Sequence, residues 1–307
     1  MGTGAQRNCA DLITRVPFEM LKINFVQDFF REDLLGGAES NDLVLISFLS
    51  EKYTINKVYS HTLTKEFVDA NKDDLLIFSN FTLVAPSVID YVAKNCKYII
   101  YEHDHKYVSN RDPSKFEFCE IPQEYVINLE FYKNAKSVVV LSKACKGILE
   151  RIKTPLMLDN VYNIGCSLWS DKKFDFIESI CNTPKTKKYA ILNSKNPIKG
   201  KDSAIAYCTQ NKINYELIGS DQEEEFLKQL SQYEVLIFFP QVLETFCRLA
   251  AEAKMLNCSL LTKPNLLGMT YEECAKLKGI DLITDLRKRR DDALFLFKTL
   301  IRRAVKP

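Results

Sequence analysis

The chain has 307 residues, of which 46% are hydrophobic and 27% are charged, so it can form one large domain or two ordinary ones with a sizeable core. The formal net charge of +2 is too balanced to indicate binding to nucleic acid or anionic membranes from bulk charge, although a local basic groove would suffice for DNA. No apolar run approaches the roughly 20 residues of a transmembrane helix.

The cysteines are scattered, without the paired spacing of zinc sites or disulfide frameworks. We interpret them as reduced, buried, small hydrophobic residues, which is typical of a cytoplasmic protein; a peripheral position at a membrane stays open. Residues 1–19 lack the basic start and apolar stretch of a signal peptide. Because a strand-like run begins at Met20, we expect residues 1–19 to be an extension outside the fold.

Short β-branched and aromatic runs alternate with longer amphipathic ones, which indicates βαβ units on a parallel sheet. In the first half the predicted strands are 21–26, 56–60, 74–79, 97–102 and 136–142, and the predicted helices are 39–51, 64–71, 84–94, 122–134 and 142–152. In the second half the predicted strands are 189–194, 215–220, 234–240 and 258–263, and the predicted helices are 201–210, 222–232, 246–256 and 270–277.

The polar, proline-containing stretch 181–188 suits a linker, and residues 283–305 have the pattern of a last helix. We therefore predict an N-terminal domain over 20–160, a C-terminal domain over 161–282 and a C-terminal helix over 283–307. The fold class is α/β, with two Rossmann-like, doubly wound parallel sheets that face a central cleft. Ligands bind in such folds at the carboxyl ends of the strands, so motifs just after strands are the candidates for chemistry.

Two glutamates, Glu244 and Glu252, follow the predicted strand that ends near Phe239. Glu244 falls in the loop before a predicted helix, and Glu252 lies about two turns inside it. Carboxylates accept paired hydrogen bonds from vicinal sugar hydroxyls, and the free N–H groups of a helix start can bind phosphate or sugar oxygens. On spacing alone, a helix cap at Glu244 and a surface carboxylate at Glu252 are equally open.

The loop at 193–202 also follows a predicted strand and opens a predicted helix. Ammonium groups at Lys195 and Lys199, beside a helix N-terminus, suit a diphosphate because both supply positive potential. From the pattern alone, solvated loop charges are the alternative.

Two candidates lie in the first half. Gly36 and Gly37 precede the first predicted helix, where glycines allow the backbone to approach a phosphate, although such a pair often marks only a turn. His103 and Asp104 follow the fourth predicted strand, where they could move a proton or orient a sugar hydroxyl. A metal site there lacks a third nearby ligand. Arg111 follows closely and is a candidate acceptor-binding residue by position.

These segments resemble the donor-site motifs of retaining glycosyltransferases with the GT-B fold, family 4 in particular, and there is a general likeness to its short phage-type members. The family pattern is Glu, seven residues, Glu, with a Phe two residues after the first Glu and an Ala after the second. Lys199-Gly200 corresponds to the Lys-Gly of the family's diphosphate-binding segment, whereas Ser194 stands where the family has Arg. The segments 36–39 and 103–104 resemble the family's N-terminal glycine loop and its His-Asp pair. The residues that match the Glu motif are Glu244, Phe246, Glu252 and Ala253.

The resemblance implies transfer of a sugar from a UDP- or GDP-sugar to a hydroxyl acceptor, with retention of configuration and without a metal or other cofactor. By resemblance, Glu244, Thr245 and Phe246 position the sugar and Glu252 binds the ribose. Lys199 and Gly200, with Lys195, Gly36 and Gly37, hold the diphosphate, and His103 and Asp104 lie near the reacting sugar. The sequence contains no Asp-x-Asp, so the metal-diphosphate clamp of the other large glycosyltransferase fold has no candidate, and cations and helix dipoles have to neutralise the leaving group.

The acceptor and the oligomeric state are not encoded in any motif. A glycan or lipid-linked glycan is the first interpretation, and hydroxymethylated bases in DNA are the alternative. A groove lined by Lys and Arg would favour DNA, and an exposed apolar and basic face would favour a membrane-bound glycan. A further alternative, from outside enzymology, is a nucleotide-sugar binding protein without turnover. The motifs of dinucleotide oxidoreductases, P-loop enzymes and α/β-hydrolases are absent from the sequence.

Overall fold

The computed structural model describes residues 21–34, 36–152 and 160–306. The expected N-terminal extension, residues 1–19, lies outside the described residues. Within them, two parallel sheets are each covered by helices on both faces, as expected for doubly wound α/β units.

The first sheet has six parallel strands in the order β2-β1-β3-β4-β5-β6. Three of its strands, β3, β4 and β5, are buried at every position, because helices cover both faces of the sheet there. The register sets Phe25 opposite Ile77 and Ile77 opposite Ile99, so the apolar side chains form continuous rows across the sheet. The strands are β1 (Lys22–Gln27), β2 (Thr54–Tyr59), β3 (Leu75–Phe78), β4 (Tyr98–Tyr101), β5 (Ser137–Val140) and β6 (Val161–Asn163), and the helices are α1 (Gly37–Ser50), α2 (Lys65–Ala70), α3 (Pro86–Asn95), α4 (Leu129–Asn134) and α5 (Lys143–Arg151).

The second sheet has four parallel strands in the order β10-β9-β7-β8. Its strands are β7 (Lys187–Leu192), β8 (Glu216–Ile218), β9 (Tyr233–Phe238) and β10 (Ser259–Thr262). The helices of this half are α6 (Asp171–Ile180), α7 (Lys201–Asn211), α8 (Glu223–Ser231) and α9 (Arg248–Met255). Since β7 and β9 are neighbours in the middle, the loops after them lie side by side at the carboxyl edge.

The last helix, α10 (Gly279–Val305), connects the two halves. Its Phe297 ring packs on Tyr101 at the end of β4, with ring centroids 5.0 Å apart. Its Arg290 donates to the Trp169 carbonyl at 2.8 Å and pairs with Asp171 at the start of α6 at 2.6 Å. The helix thus packs against the first sheet while it anchors the start of the second half.

Nine of the ten described strands and most helices were predicted, but two of the predicted helices are wrong. The predicted helix 270–277 is wrong, because Gly268–Tyr271 and Glu273–Lys276 form separate 3-10 turns. The predicted helix 122–134 is also wrong in its first part, which is a 3-10 turn at Gln123–Tyr125. Asn128 adopts a left-handed conformation (φ 58°), so α4 begins only at the next residue.

Two elements, β6 and α6, were missed because they fall in the region predicted as the join. β6 pairs with β5, so the first sheet continues three residues past the predicted boundary at residue 160. None of the helices within the described ranges is long and apolar enough to span a membrane.

Candidate active site

A cleft of about 910 Å³ lies where the carboxyl ends of the two sheets face each other. The first half lines it with the loops after β1 and β4 and with the first turn of α1. The second half lines it with the loops after β7, β8 and β9 and with the start of α9. This is the edge at which doubly wound folds bind ligands.

Ten of the twelve residues proposed from the sequence line this cleft. The two that lie outside the lining are Gly200 and Arg111. The ten come from four separate segments of the chain, which the fold brings together: Gly36, Gly37, His103, Asp104, Lys195, Lys199, Glu244, Thr245, Phe246 and Glu252.

Lys199 and Glu244 form an ion pair inside the cleft. The Lys199 Nζ donates to Glu244 Oε1 at 2.7 Å, and the two side chains are 33% and 16% exposed. Burial acts to lower the pKa of Lys199, but the adjacent Glu244 carboxylate outweighs it and raises the pKa above its ordinary value. The lysine is therefore a fixed positive charge in the cleft at neutral pH.

The backbone of Glu244 is held by the loop after β10. The Glu244 N–H donates to the Leu266 carbonyl at 3.0 Å, and the Gly268 N–H donates to the Glu244 carbonyl at 2.8 Å. A Cβ at Gly268 would lie 2.0 Å from the Thr245 carbonyl oxygen, so this close approach requires glycine. The carboxylate at 244 is consequently presented from a rigid backbone.

Glu252 is buried on the first turns of α9, with its carboxylate held by two groups. Trp169 Nε1 donates to Glu252 Oε1 at 2.8 Å, and Arg248 Nη2 lies 3.6 Å from the same oxygen. Burial raises the pKa of Glu252 above its ordinary value, and the Arg248 charge offsets part of this rise. Both contacts are to one oxygen, so the carboxylate keeps acceptor capacity toward the cleft.

His103 is held by a carboxylate that the sequence analysis did not propose. Its Nε2 lies 3.1 Å from Asp42 Oδ1, and Asp42 Oδ2 accepts a 2.5 Å hydrogen bond from the Ser79 hydroxyl. An ionised carboxylate can only accept, so Nε2 carries the proton in this pair. The Tyr101 ring packs on the imidazole at 4.2 Å between centroids. These contacts fix the orientation of the ring at the wall of the cleft.

The loop that carries Asp104 is anchored by a buried ion pair. Glu102 Oε1 accepts from the Asp104 N–H at 2.8 Å and from Lys106 Nζ at 2.9 Å, and Tyr132 donates to the other oxygen. Burial would raise the pKa of Glu102, but Lys106 and the Tyr132 hydroxyl lower it to about 2. The Glu102 carboxylate is therefore ionised at neutral pH, and its hydrogen bonds set the path of residues 102–106.

Thr245 and Phe246 have structural contacts in addition to their place in the lining. The Thr245 hydroxyl donates to the His103 carbonyl at 2.8 Å, which links the two halves across the cleft. Phe246 is fully buried and packs on Trp169 with ring centroids 6.3 Å apart. Since the Phe246 ring is packed in the hydrophobic core, its contact with a ligand has to come from the backbone.

In the glycine loop of the first half, the side chain of Glu39 on α1 lies against Gly36. A Cβ at Gly36 would lie 2.0 Å from Glu39 Oε2, so Glu39 folds back over the start of α1. Burial raises the pKa of Glu39 above its ordinary value, and the nearby Asp42 charge adds to the rise. The N-terminus of α1 therefore has an internal carboxylate close to it.

The two proposed residues outside the lining have other positions. Gly200 is buried in a left-handed conformation (φ 71°), and a Cβ there would lie 1.7 Å from the Phe239 carbonyl oxygen, so the loops after β7 and β9 approach closely at this glycine, and its part in donor binding stays a prediction. Arg111 is exposed and is not among the residues that line the cleft, and its role in acceptor binding stays a prediction. Its neighbour Asp112 is buried and accepts from the Leu243 N–H at 3.2 Å, so this segment braces the loop of Glu244.

Three residues of the site were missed by the sequence analysis: Asp42, Trp169 and Arg248. Each acts through a partner that is distant in the chain, and no local motif marks them. Arg248 lies between the two glutamates of the motif, but the motif pattern specifies no residue at that position, so the pattern did not single it out.

The described residues contain no group of three or more His, Cys, Asp or Glu side chains that could hold a metal ion. The nine described cysteines are free, and seven of them are buried. Cys247 lines the cleft, but burial raises the pKa of its thiol far above the ordinary value, so it is not a thiolate there.

The arrangement of two facing Rossmann-like units is the GT-B fold. Solved structures share it with this chain, and two of them are described below. One is Anabaena HepE in complex with UDP and glucose, which is 12% identical with a TM-score of 0.53 over 91% of this chain and 100% of that one. The other is an α-glucosyltransferase in complex with UDP-glucose and DNA containing an abasic site, 11% identical with a TM-score of 0.50 over 93% of each chain. No family model matches the chain, and no curated protein matches it in sequence.

Proposed function

We propose that this protein is a glycosyltransferase that moves a sugar from a nucleotide diphosphate sugar to a hydroxyl acceptor. The observation that carries the proposal is the meeting of Lys199 and Glu244 from one half with His103 and Asp104 from the other in one cleft. A cation for the leaving diphosphate, a carboxylate for sugar hydroxyls and a candidate proton-transfer pair are the groups that this reaction requires. The two structures of the same fold, which contain UDP or UDP-glucose, support a uridine nucleotide as the donor.

In the proposed reaction the donor diphosphate binds at Lys199, near the start of α9. The ammonium then has two anionic partners, Glu244 and the diphosphate. Lys199 contacts only Oε1 of Glu244, so Oε2 accepts hydrogen bonds from the transferred sugar. Glu252, whose second oxygen is available, binds the two ribose hydroxyls. His103, with Asp42 behind it and Asp104 beside it, orients the reacting hydroxyls.

The proposal includes a reaction without a metal, which the charges of the cleft support, and retention of configuration, which is proposed from the resemblance of the motifs alone. The charge that builds up on the leaving diphosphate is balanced by Lys199 and by the N–H groups at the start of α9. Lys195, exposed on the loop after β7, also lines the cleft.

We propose a glycan, free or lipid-linked, as the acceptor. Residues 21–152, which form most of the first half, contain 16 Lys and Arg against 19 Asp and Glu, so this half repels a polyanion overall. Arg31 is the one cation that the first half contributes to the described lining. The loops after β1 and β3 expose three apolar side chains, Phe29, Leu34 and Leu83, and apolar surface of this kind suits sugar faces or a lipid anchor better than phosphates.

The proposal is tested by the release of UDP and GDP from the common UDP- and GDP-sugars, with and without EDTA. We expect turnover that survives EDTA, reduced donor affinity for Glu252→Ala, and a larger loss of turnover than of binding for Glu244→Ala. Unchanged rates in both variants would refute the site. Glycans and duplex DNA with hydroxymethylated bases are then compared as acceptors. Transfer to the DNA but to no glycan would overturn the proposed acceptor class. Donor binding without any turnover would instead support a non-catalytic binding protein.

A further inference from the structure

Four basic side chains line the cleft among the described residues: Arg31, Lys195, Lys199 and Arg248. They differ in how firmly they are held. Lys195 is exposed on a loop, and Arg31 is directed to Glu223 on α8 at 3.7 Å. A donor diphosphate carries more than one negative charge, so Lys199 alone leaves part of it without a counter-charge.

Arg248, the first residue of α9, is the most firmly placed of the four. Its Nη1 donates to Asn41 Oδ1 at 3.1 Å and to the Leu168 carbonyl at 2.5 Å. Its guanidinium carbon lies 4.6 Å from the centre of the Trp169 ring, a stacking contact that arginine makes well. Because these contacts already fix its rotamer, the side chain loses little conformational entropy when a ligand binds.

Two donor groups of Arg248 remain for a ligand. Both hydrogen bonds are made by Nη1, while Nη2 lies 3.6 Å from Glu252 Oε1, which is beyond hydrogen-bonding distance. The side chain is 13% exposed and lines the cleft. The charge of Arg248 is thus only partly balanced, and its free N–H groups form the planar fork that suits phosphate oxygens.

Arg248 belongs to α9 in the second half and packs against the start of α1 in the first half. A Cβ at Gly37 would lie 3.4 Å from Arg248 Cδ, so the arginine stem packs on the start of α1. The side chain therefore stands between the N-termini of α1 and α9, the positive ends of the two helices. Arg31 also reaches across the cleft, but only through its 3.7 Å ion pair with Glu223, whereas Arg248 donates two hydrogen bonds, to Asn41 and to the Leu168 carbonyl.

We propose that Arg248 binds the diphosphate of the donor, as the second cation beside Lys199. The inference rests on the proposed function. Arg248 also holds Glu252 in place, but its principal contribution is to the diphosphate rather than to the nucleoside.

The test compares UDP with uridine, which lacks the diphosphate. Full-length wild type, Arg248→Met, Arg248→Lys and Arg31→Met are titrated calorimetrically with UDP, and uridine is measured by displacement of UDP. We expect Arg248→Met to weaken UDP binding about 10- to 150-fold, the range for a hydrogen bond to a charged group, and to change uridine binding less than about threefold. Arg248→Lys keeps the charge but not the fork, so it should fall between wild type and Arg248→Met. Arg31→Met removes the same charge from the same cleft and should change UDP binding less than Arg248→Met does.

The outcomes separate the two proposals. If Arg248→Met and Arg248→Lys weaken UDP and uridine equally, Arg248 acts only through Glu252 and packing, and the inference is overturned while the donor site stands. The inference is also overturned if Arg248→Lys and Arg248→Met, measured separately, both bind UDP with wild-type affinity. Wild type that binds neither UDP nor GDP would refute the proposed function itself, whatever the variants do. Melting temperatures of all four proteins show whether a loss reflects unfolding, and the lysine variant serves as the test if the methionine variant does not fold.

Discussion

The pair of Asp42 and His103 offers a sharp test of how the first half takes part in the reaction. Asp42 is fully buried behind the cleft and is not part of its lining, so Asp42→Asn changes no group that touches the donor. In the wild type both carboxylate oxygens accept, one from Ser79 and one from His103. An asparagine that still accepts from Ser79 has to turn its NH₂ toward His103, which forces the imidazole to accept at Nε2 and moves its proton to Nδ1.

The expected magnitude follows from the loss of this hydrogen bond. A hydrogen bond to a charged group contributes about 1.5–3 kcal/mol, so transfer should slow by about 10- to 150-fold if His103 acts in one tautomer. Donor affinity should stay within about threefold of wild type, because no donor-binding group has moved.

The assay is steady-state transfer with the donor sugar and the acceptor that the nucleotide-release and acceptor assays select, together with calorimetric donor binding. Ser79→Ala is the matched control, because it removes the other hydrogen bond of Asp42 but leaves the carboxylate on His103; we expect it to lose less activity than Asp42→Asn. Wild-type kcat in Asp42→Asn, or an equal loss of donor affinity and kcat, would show that the pair does not position a reacting group.

Three further predictions concern the site and the fold. Gly200→Ala should lower the free energy of unfolding by at least about 2 kcal/mol, because the residue has φ 71° and no room beside the Phe239 carbonyl; Gly147→Ala inside α5, where a Cβ meets nothing closer than 3.7 Å, should instead stabilise by about 0.5–1 kcal/mol, and urea unfolding of both variants decides. Trp169→Phe keeps the ring packing but removes the hydrogen bond to Glu252, so it should weaken UDP binding by about 3- to 30-fold with a near-normal melting temperature; a calorimetric titration equal to wild type would exclude Glu252 as a ribose ligand held by Trp169. Burial raises the pKa of Glu39, so its contribution to stability is complete below the ordinary value of 4.5 and is lost as the pH rises through the raised value; Glu39→Gln should therefore be more stable than wild type at pH 7.5 and equal to it at pH 4, and a difference that does not depend on pH would contradict the assigned cause.

Local patterns were enough to predict the parallel strands and the loops that carry Lys199, Glu244 and His103. Strands buried on both faces appear as short apolar runs, and loops at their carboxyl ends are where polar residues and glycines collect. The wrong helix at 270–277 has a tertiary cause. Met269 donates to the Phe246 carbonyl, and the Glu272 carboxylate accepts from the Lys143 N–H and from Asn163. These long-range contacts favour tight turns over the helix that the local composition predicts.

The amino-acid sequence by itself thus determined the α/β class, the two sets of strands and the candidate residues after them, because hydrophobic periodicity and loop composition are local properties. Only the tertiary structure decided which charges meet. Lys199 and Glu244 are 45 positions apart, His103 and Asp42 are 61 apart, and Trp169 and Glu252 are 83 apart. Such pairs depend on how strands are ordered in each sheet and how the two halves face each other, and neither leaves a periodic signal in the chain.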